Sequence, residues 1–398
     1  MKAKRISTQS TELPGPQEVR LSESARPRTA PERITPSAIV VRAKALLLRS
    51  KSCDIETPHV ELAARAAGEN RIVTSYPKRA KACQSSEFSA IRGVLPRKES
   101  SIMPASFSLV ALRVADLLML TKPRIAAMVT LTSAAGFVFA SGSEVDLAGL
   151  VKTAIGTALL AAGSLTLNQV LERNVDGLMR RTAHRPLPAG RLDADLALGW
   201  GALLALAGAF LLVFGVNALT AFIGLGTLGG YVFLYTPLKR ATPLATLVGV
   251  VTGATPPMMG WTGARNEIGI GAWVLFALLF LWQLPHVLAV SWLYRADYER
   301  AGMKMLAVLD PGGARVARQA VLWAAALLPV SLMPSALGLA GGVYAIGALA
   351  LGVGFLGASI AFAFRRSPEA ARRLLHVSLL YLPAVLAVLV LDRTGVVR

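Results

Sequence analysis

NQVLERNVDGLMRRTAHRPLPAGR, residues 168–191, is the stretch on which the reading of this chain turns. It follows the apolar run LVKTAIGTALLAAGSLTL without a break, so polar groups are suddenly concentrated at the end of a membrane-like segment. Asn168, Glu172 and Asp176 stand four residues apart. On a helix turning roughly 100° per residue such positions drift only about 40° per step, so an amide and two carboxylates share one face over roughly 12 Å. Arg180, Arg181, Arg185 and Arg191 follow. Oxygen donors suited to a hard divalent cation therefore lie beside guanidinium groups suited to diphosphate oxygens, and the pairing points to a metal-bound diphosphate.

A plainer reading makes this the headgroup end of a helix, since basic residues crowd cytoplasmic joints for topological reasons alone. That accounts for the arginines. It does not account for Asn168 at the end of an apolar run, nor for two acids at helical spacing, and ionisable groups near a membrane interior point to function.

Around this stretch the composition is that of a polytopic membrane protein. Of 398 residues 54% are hydrophobic and 16% charged, with a mean hydropathy of +0.53. The net charge of +19 would suit a nucleic-acid binder, but in the membrane part Lys and Arg are spread between apolar segments, so no nucleic-acid partner is expected. Cys53 and Cys83 stand alone, without a CxxC or Cys/His cluster, and support neither a disulfide framework nor a zinc site.

Two regions follow. Residues 1–103 are basic and rich in Pro and Ser, with no run long enough to span, and read as a disordered, dispensable extension, with Met103 an alternative start. Scattered acids from Glu12 to Glu99 speak against a transit peptide. Residues 104–398 read as an all-α membrane domain of about nine transmembrane helices around a central cavity. The expected spans are 124–141, 149–171, 193–215, 218–236, 244–262, 269–292, 316–334, 341–363 and 374–392. Basic residues mark the joints at 122–124, 173–191, 239–240, 295–318 and 365–373, whereas the opposite joints hold only Arg265. The positive-inside rule then puts the N-terminus and the marked joints in the cytoplasm, with the cavity opening to that face.

Other polar constellations fall on the same side. YTPLKRATP places Tyr235, Lys239 and Arg240 at a helix end between Pro237 and Pro243, which also suits a simple basic turn. GATPPMMGW carries paired prolines, tolerated inside a membrane where the freed backbone lines a cavity. In FLWQLPHVLAVSWLYRADYERAGMKML, Trp282, Gln283 and His286 lie within about a turn, followed by Arg295, Asp297, Glu299 and Arg300. Gln and His in an apolar span are costly without a partner and favour a cavity lining. His376 reads as structural or interfacial, and nothing ties His59 or His184 to chemistry.

With LTKPRI at 120–125, NQVLERNVDGLMRRTAHRPLPAGR, YTPLKRATP, GATPPMMGW, WQLPH and DYERAGMKML in this order, the chain resembles the UbiA-type intramembrane prenyltransferases, and among them the branch that farnesylates haem. The resemblance covers about residues 117–392. It implies Mg²⁺ as cofactor, held by Asn168, Glu172, Asp176 and Asp297, the four residues it makes catalytic. It implies substrate contacts from Arg180, Arg181, Arg185, Tyr235, Lys239, Arg240, Gln283, His286 and Arg295. Its substrates would be farnesyl diphosphate and haem B, converted with water to haem O and diphosphate. A haem A synthase or haem-copper oxidase assembly would stand downstream. The bilayer would be a bacterial inner membrane or, alternatively, the mitochondrial one. Glu172 stands where many members have Asp, and Leu293 where a second DxxxD would place an acid. A quinone-pathway prenyltransferase and, from another class, a transporter with midplane polar groups are the competing readings.

Overall fold

The computed structural model describes residues 105–394, and the expected extension at 1–103 lies outside them. The described chain is helical throughout, apart from an isolated bridge between Ala340 and Arg393. In order come α1 (Ala105–Leu120), α2 (Pro123–Ala140), α3 (Leu147–Asp176), α4 (Ala194–Gly215) and α5 (Ala218–Ala241). The pair α6 (Ala245–Ala254) and α7 (Pro256–Arg265) precedes the long α8 (Ile270–Leu293). Two short helices, α9 (Arg295–Arg300) and α10 (Leu306–Leu309), lead to α11 (Ala314–Ala336), α12 (Gly342–Arg365) and α13 (Pro368–Leu391).

Apolar composition with no water to satisfy the backbone selects helices, whose bonds close within each segment. Polar side chains start several of them. Asp146 accepts from the Ala148 amide, Asn217 from Thr220 and Ser367 from Ala370, each meeting a donor that a helix N-terminus leaves unpaired. Phe364 and Leu391 are 83% and 84% exposed, an outward apolar face that a lipid phase accommodates.

Among the described residues eight helices are long and apolar enough to cross a membrane: α2, α3, α4, α5, α8, α11, α12 and α13. The ninth expected span, 244–262, is two ten-residue helices, α6 and α7, separated at Thr255. The cause is Pro256, which has no amide to give the Thr252 carbonyl four residues back. The Thr255 hydroxyl donates to that carbonyl instead, at 2.9 Å. The described part of the chain also begins with α1, a helix outside the expected spans.

Small residues set the closest crossings. A methyl group at Gly260 of α7 would collide with the Ser133 carbonyl of α2, and one at Gly136 with the Pro257 carbonyl, so these two helices meet backbone to backbone. The basic joints gather at one end: the Lys304 amide donates to the Lys239 carbonyl at 2.9 Å, and Met179 packs with Met303 and Met305. At the other end Asn217 donates to the Thr262 carbonyl, and Asp392 accepts from the Tyr344 amide.

Candidate active site

The last two turns of α3 form the floor of a charged cluster. Asn168, Glu172 and Asp176 are all buried, on one helix face as their spacing predicts. Each meets a partner. Lys239, at the end of α5, donates to Glu172 Oε1 at 2.8 Å, and Arg185 donates to Asp176 Oδ2 at 2.7 Å. Asn168 donates to Thr236 Oγ1 at 2.9 Å and accepts from Lys122 Nζ at 3.5 Å. Two carboxylates and three cations thus share one end of the bundle.

Local backbone features place the cations. Lys122 stands at φ 48°, in the left-handed region, immediately before Pro123 opens α2. Such a conformation costs a non-glycine residue about 1–3 kcal/mol, and strain of that kind gathers at functional sites. Burial, followed by the charges of Arg185 and Lys239, pushes the Lys122 ammonium down to about 7. In α5 a π-helical turn covers Gly230–Tyr235, just ahead of Pro237. The Thr236 hydroxyl donates to the Tyr231 carbonyl at 2.9 Å. The Tyr231 and Tyr235 rings lie 5.3 Å apart, with Lys239 Nζ 4.3 Å from the centre of the Tyr235 ring.

Beside this cluster lies a cavity of about 520 Å³, inside the range of about 300–1,000 Å³ usual for small-molecule and cofactor sites. Its walls are mostly apolar, with Tyr231, Tyr235, Gln283, His286 and Arg124 among the polar lining. Gly253 and Pro256, at the break between α6 and α7, also line it, whereas the Pro257 backbone lies against Gly136 of α2. The far wall is α8 against α13: Trp282 Nε1 donates to the Ser378 carbonyl, and His286 Nδ1 meets Ser378 Oγ, both at 2.8 Å.

The structure brings Asn168, Glu172, Asp176, Arg185, Tyr235 and Lys239 together, and places Gln283 and His286 in the adjoining cavity. Other expected contacts are engaged elsewhere or face outward. Arg181 lies over the Tyr294 ring at 4.8 Å and Arg295 over Trp292 at 4.2 Å. Arg180 and Arg240 are exposed. Asp297 pairs with Arg300 on its own helix and meets no member of the first cluster, although its neighbours Tyr298 and Ala301 pack on Val175 and Met179.

Lys122, Thr236 and Ser378 were absent from the expected set. Lys122 reads in the sequence as a topological marker, and the other two as ordinary small polar residues of apolar helices. A divalent cation fits the donor set in part. Two carboxylates and an amide oxygen are hard ligands, and Mg²⁺ is commonly held by one or two carboxylates with substrate phosphates completing its shell. Among the described residues no group of three or more His, Cys, Asp or Glu is placed to hold a metal ion.

Residues 129–382 match the model of the UbiA prenyltransferase family. The chain is 46% identical to protoheme IX farnesyltransferase of Solibacter usitatus over 70% of its own length and 99% of that protein. It is 45% identical to the protein of the same name from Salinibacter ruber, over 70% and 98%. Among solved structures, digeranylgeranylglyceryl phosphate synthase superposes with a TM-score of 0.60 at 16% identity, over 70% of this chain and 98% of that one. A UbiA homologue from Aeropyrum pernix K1 gives 0.52 at 19%, over 66% and 97%. At such identities the structures speak for the fold.

Proposed function

The chain belongs to the UbiA prenyltransferase family, and on that premise we propose that its charged cluster and its cavity are the two halves of one farnesyl-transfer site. It transfers the farnesyl group of farnesyl diphosphate to a vinyl group of protohaem IX and, with addition of water, gives haem O and diphosphate. Tyr235 carries the assignment of the halves. Its ring lines the cavity and also holds Lys239, which is bonded to Glu172. A substrate with a charged head and an apolar tail fits across that residue.

The head goes to the end of α3. As the carbon–oxygen bond to diphosphate breaks, negative charge grows on the leaving oxygens, and fixed cations stabilise it most in a site that excludes water. Arg185 and Lys239 are those cations, and Lys122, brought down to about 7 by burial, joins them in its protonated form. Glu172 and Asp176, with Asn168, are the residues to hold Mg²⁺, which when bound neutralises further diphosphate charge. Asp297 is the candidate to join them by exchanging Arg300 for the ion. The tail and the acceptor occupy the apolar cavity. There the Tyr231 and Tyr235 rings offer π faces to the allylic cation left after ionisation.

The end that carries the basic joints faces the cytoplasm by the positive-inside rule, in a bacterial plasma membrane or its mitochondrial counterpart. Haem O made there passes to haem-copper oxidases, directly or through conversion to haem A. The test is incubation of the purified protein in lipid with farnesyl diphosphate, Mg²⁺ and two competing acceptors, haem B and an aromatic quinone precursor. The reading expects a haem heavier by a farnesyl group and one hydroxyl, the proton of the added water being released with diphosphate. An unmodified haem alongside a prenylated quinone precursor would replace it with the quinone reading.

A further inference from the structure

His286 and Ser378 lie on different helices, 92 residues apart in sequence, with His286 Nδ1 and Ser378 Oγ separated by 2.8 Å. Hydrogen counting decides which of them donates. Ser378 Oγ is 2.6 Å from the Leu375 carbonyl, which can only accept. The hydroxyl has one proton, and the shorter contact assigns it to the Leu375 carbonyl, so that the bond to His286 is Nδ1–H donating to Ser378 Oγ. The neutral ring is thereby held as the Nδ1–H tautomer, and Nε2 keeps its lone pair.

Nε2 has no protein partner among the described residues, and His286 lines the cavity. The ring is also held in plane. Trp282 stacks on it with centroids 5.2 Å apart, and the indole N–H is itself tied to the Ser378 carbonyl. One residue of α13 therefore anchors both rings, through its side chain and its backbone.

A histidine with one nitrogen donating to an oxygen and the other left as a bare lone pair is arranged as metal-ligating histidines are. A base that must keep a proton is usually backed by a carboxylate that stabilises the imidazolium. Here the backing group is a neutral hydroxyl whose proton is already given away, and neither Asp nor Glu lines the cavity. We propose that His286 Nε2 ligates the iron of the porphyrin acceptor, and that Ser378 is the positioning residue that sets its tautomer and aim. The inference rests on the haem reading of the site and adds how the acceptor is oriented in it: a fixed axial bond holds the disc so that one edge meets the prenyl carbon.

The test uses the full chain in detergent, titrated with haem B and separately with iron-free protoporphyrin IX. Wild type, His286→Ala, Ser378→Ala and Ser378→Thr are compared by resonance Raman of the ferrous complex. Binding of a non-hydrolysable farnesyl diphosphate analogue reports folding of each variant. Wild type should give an iron–histidine band that His286→Ala loses and free imidazole restores, while iron-free porphyrin binds both alike. Ser378→Ala should weaken haem B binding by about tenfold to a hundredfold, the usual cost of removing the group that orients a metal-bound histidine. Ser378→Thr, which keeps the hydroxyl, should recover it.

The proposal is overturned if His286→Ala keeps the band, or if wild type farnesylates haem B without ever showing it. Slower turnover in His286→Ala with unchanged coordination would make the residue a base and also overturn it. Wild type that neither binds nor modifies haem B removes the haem reading itself, a result distinct from the others.

Discussion

The two acidic clusters differ in where their counter-ions come from. Glu172 is paired with a lysine 67 residues away, and Asn168 reaches Thr236 and Lys122 across 68 and 46 residues. Asp297 is paired with Arg300, three residues along the same short helix, and Glu299 is exposed. The Glu172 and Asn168 contacts exist only when α3 and α5 are folded together with the segment before α2, whereas Asp176 meets Arg185 within the joint that follows α3. The Asp297 pair could form on an isolated turn. A site whose charges are fixed by the tertiary fold needs little reorganisation when charge develops, which is where electrostatic catalysis gains most. On the proposed function the first cluster is the built half of the site, and Asp297 joins it as substrate arrives.

The sharpest way to break this contrast is to remove the divalent cation. Chelation should lower turnover by at least about a thousandfold, with recovery on adding Mg²⁺, because the ion and the fixed cations share the neutralisation of one leaving group. Full activity in the chelator would show that Arg185, Lys239 and Lys122 suffice. Next come Glu172→Gln and Asp176→Asn, which keep shape and an acceptor oxygen while deleting charge. Each should cost about a hundredfold in turnover, equivalent to about 2.7 kcal/mol. Near-normal rates in both at saturating Mg²⁺ would end the metal assignment.

Asp297→Asn should fall by roughly tenfold, about 1.4 kcal/mol, and Glu299→Gln by less. A loss at Asp297 equal to that at Glu172 would mean the clusters are equivalent and the contrast is one of the resting state only. The smallest effect is expected from deleting residues 1–102. The segment is basic, rich in Pro and Ser and has no run long enough to span, so the rate should change by less than about twofold. Normal insertion with lost turnover would assign that segment a role.

These contrasts also mark how much could be read from the sequence. The face shared by Asn168, Glu172 and Asp176 follows from a period of four, and the helical class follows from apolar runs of spanning length. The partners of that face do not, because Lys122 and Thr236 come from distant segments and look locally like a topology marker and a helix-end threonine. Hydropathy cannot separate a continuous span from one broken at Thr255, since α6 and α7 together keep the length and composition of a helix. The π-helical turn at Gly230–Tyr235, which carries both Tyr231 and Tyr235, has no separate periodic signature either. Ser378 reads as a packing residue until α8 is laid against α13.

The division of the site into a diphosphate half and a porphyrin half is tested most directly by crossed binding. Affinities for a non-hydrolysable farnesyl diphosphate analogue with Mg²⁺, and for haem B alone, would be measured by calorimetry on wild type, Glu172→Gln and His286→Ala. The account predicts that Glu172→Gln weakens the analogue by about tenfold or more and leaves haem B unchanged, whereas His286→Ala does the reverse. Loss of both ligands in each variant, or the opposite pattern, would contradict it.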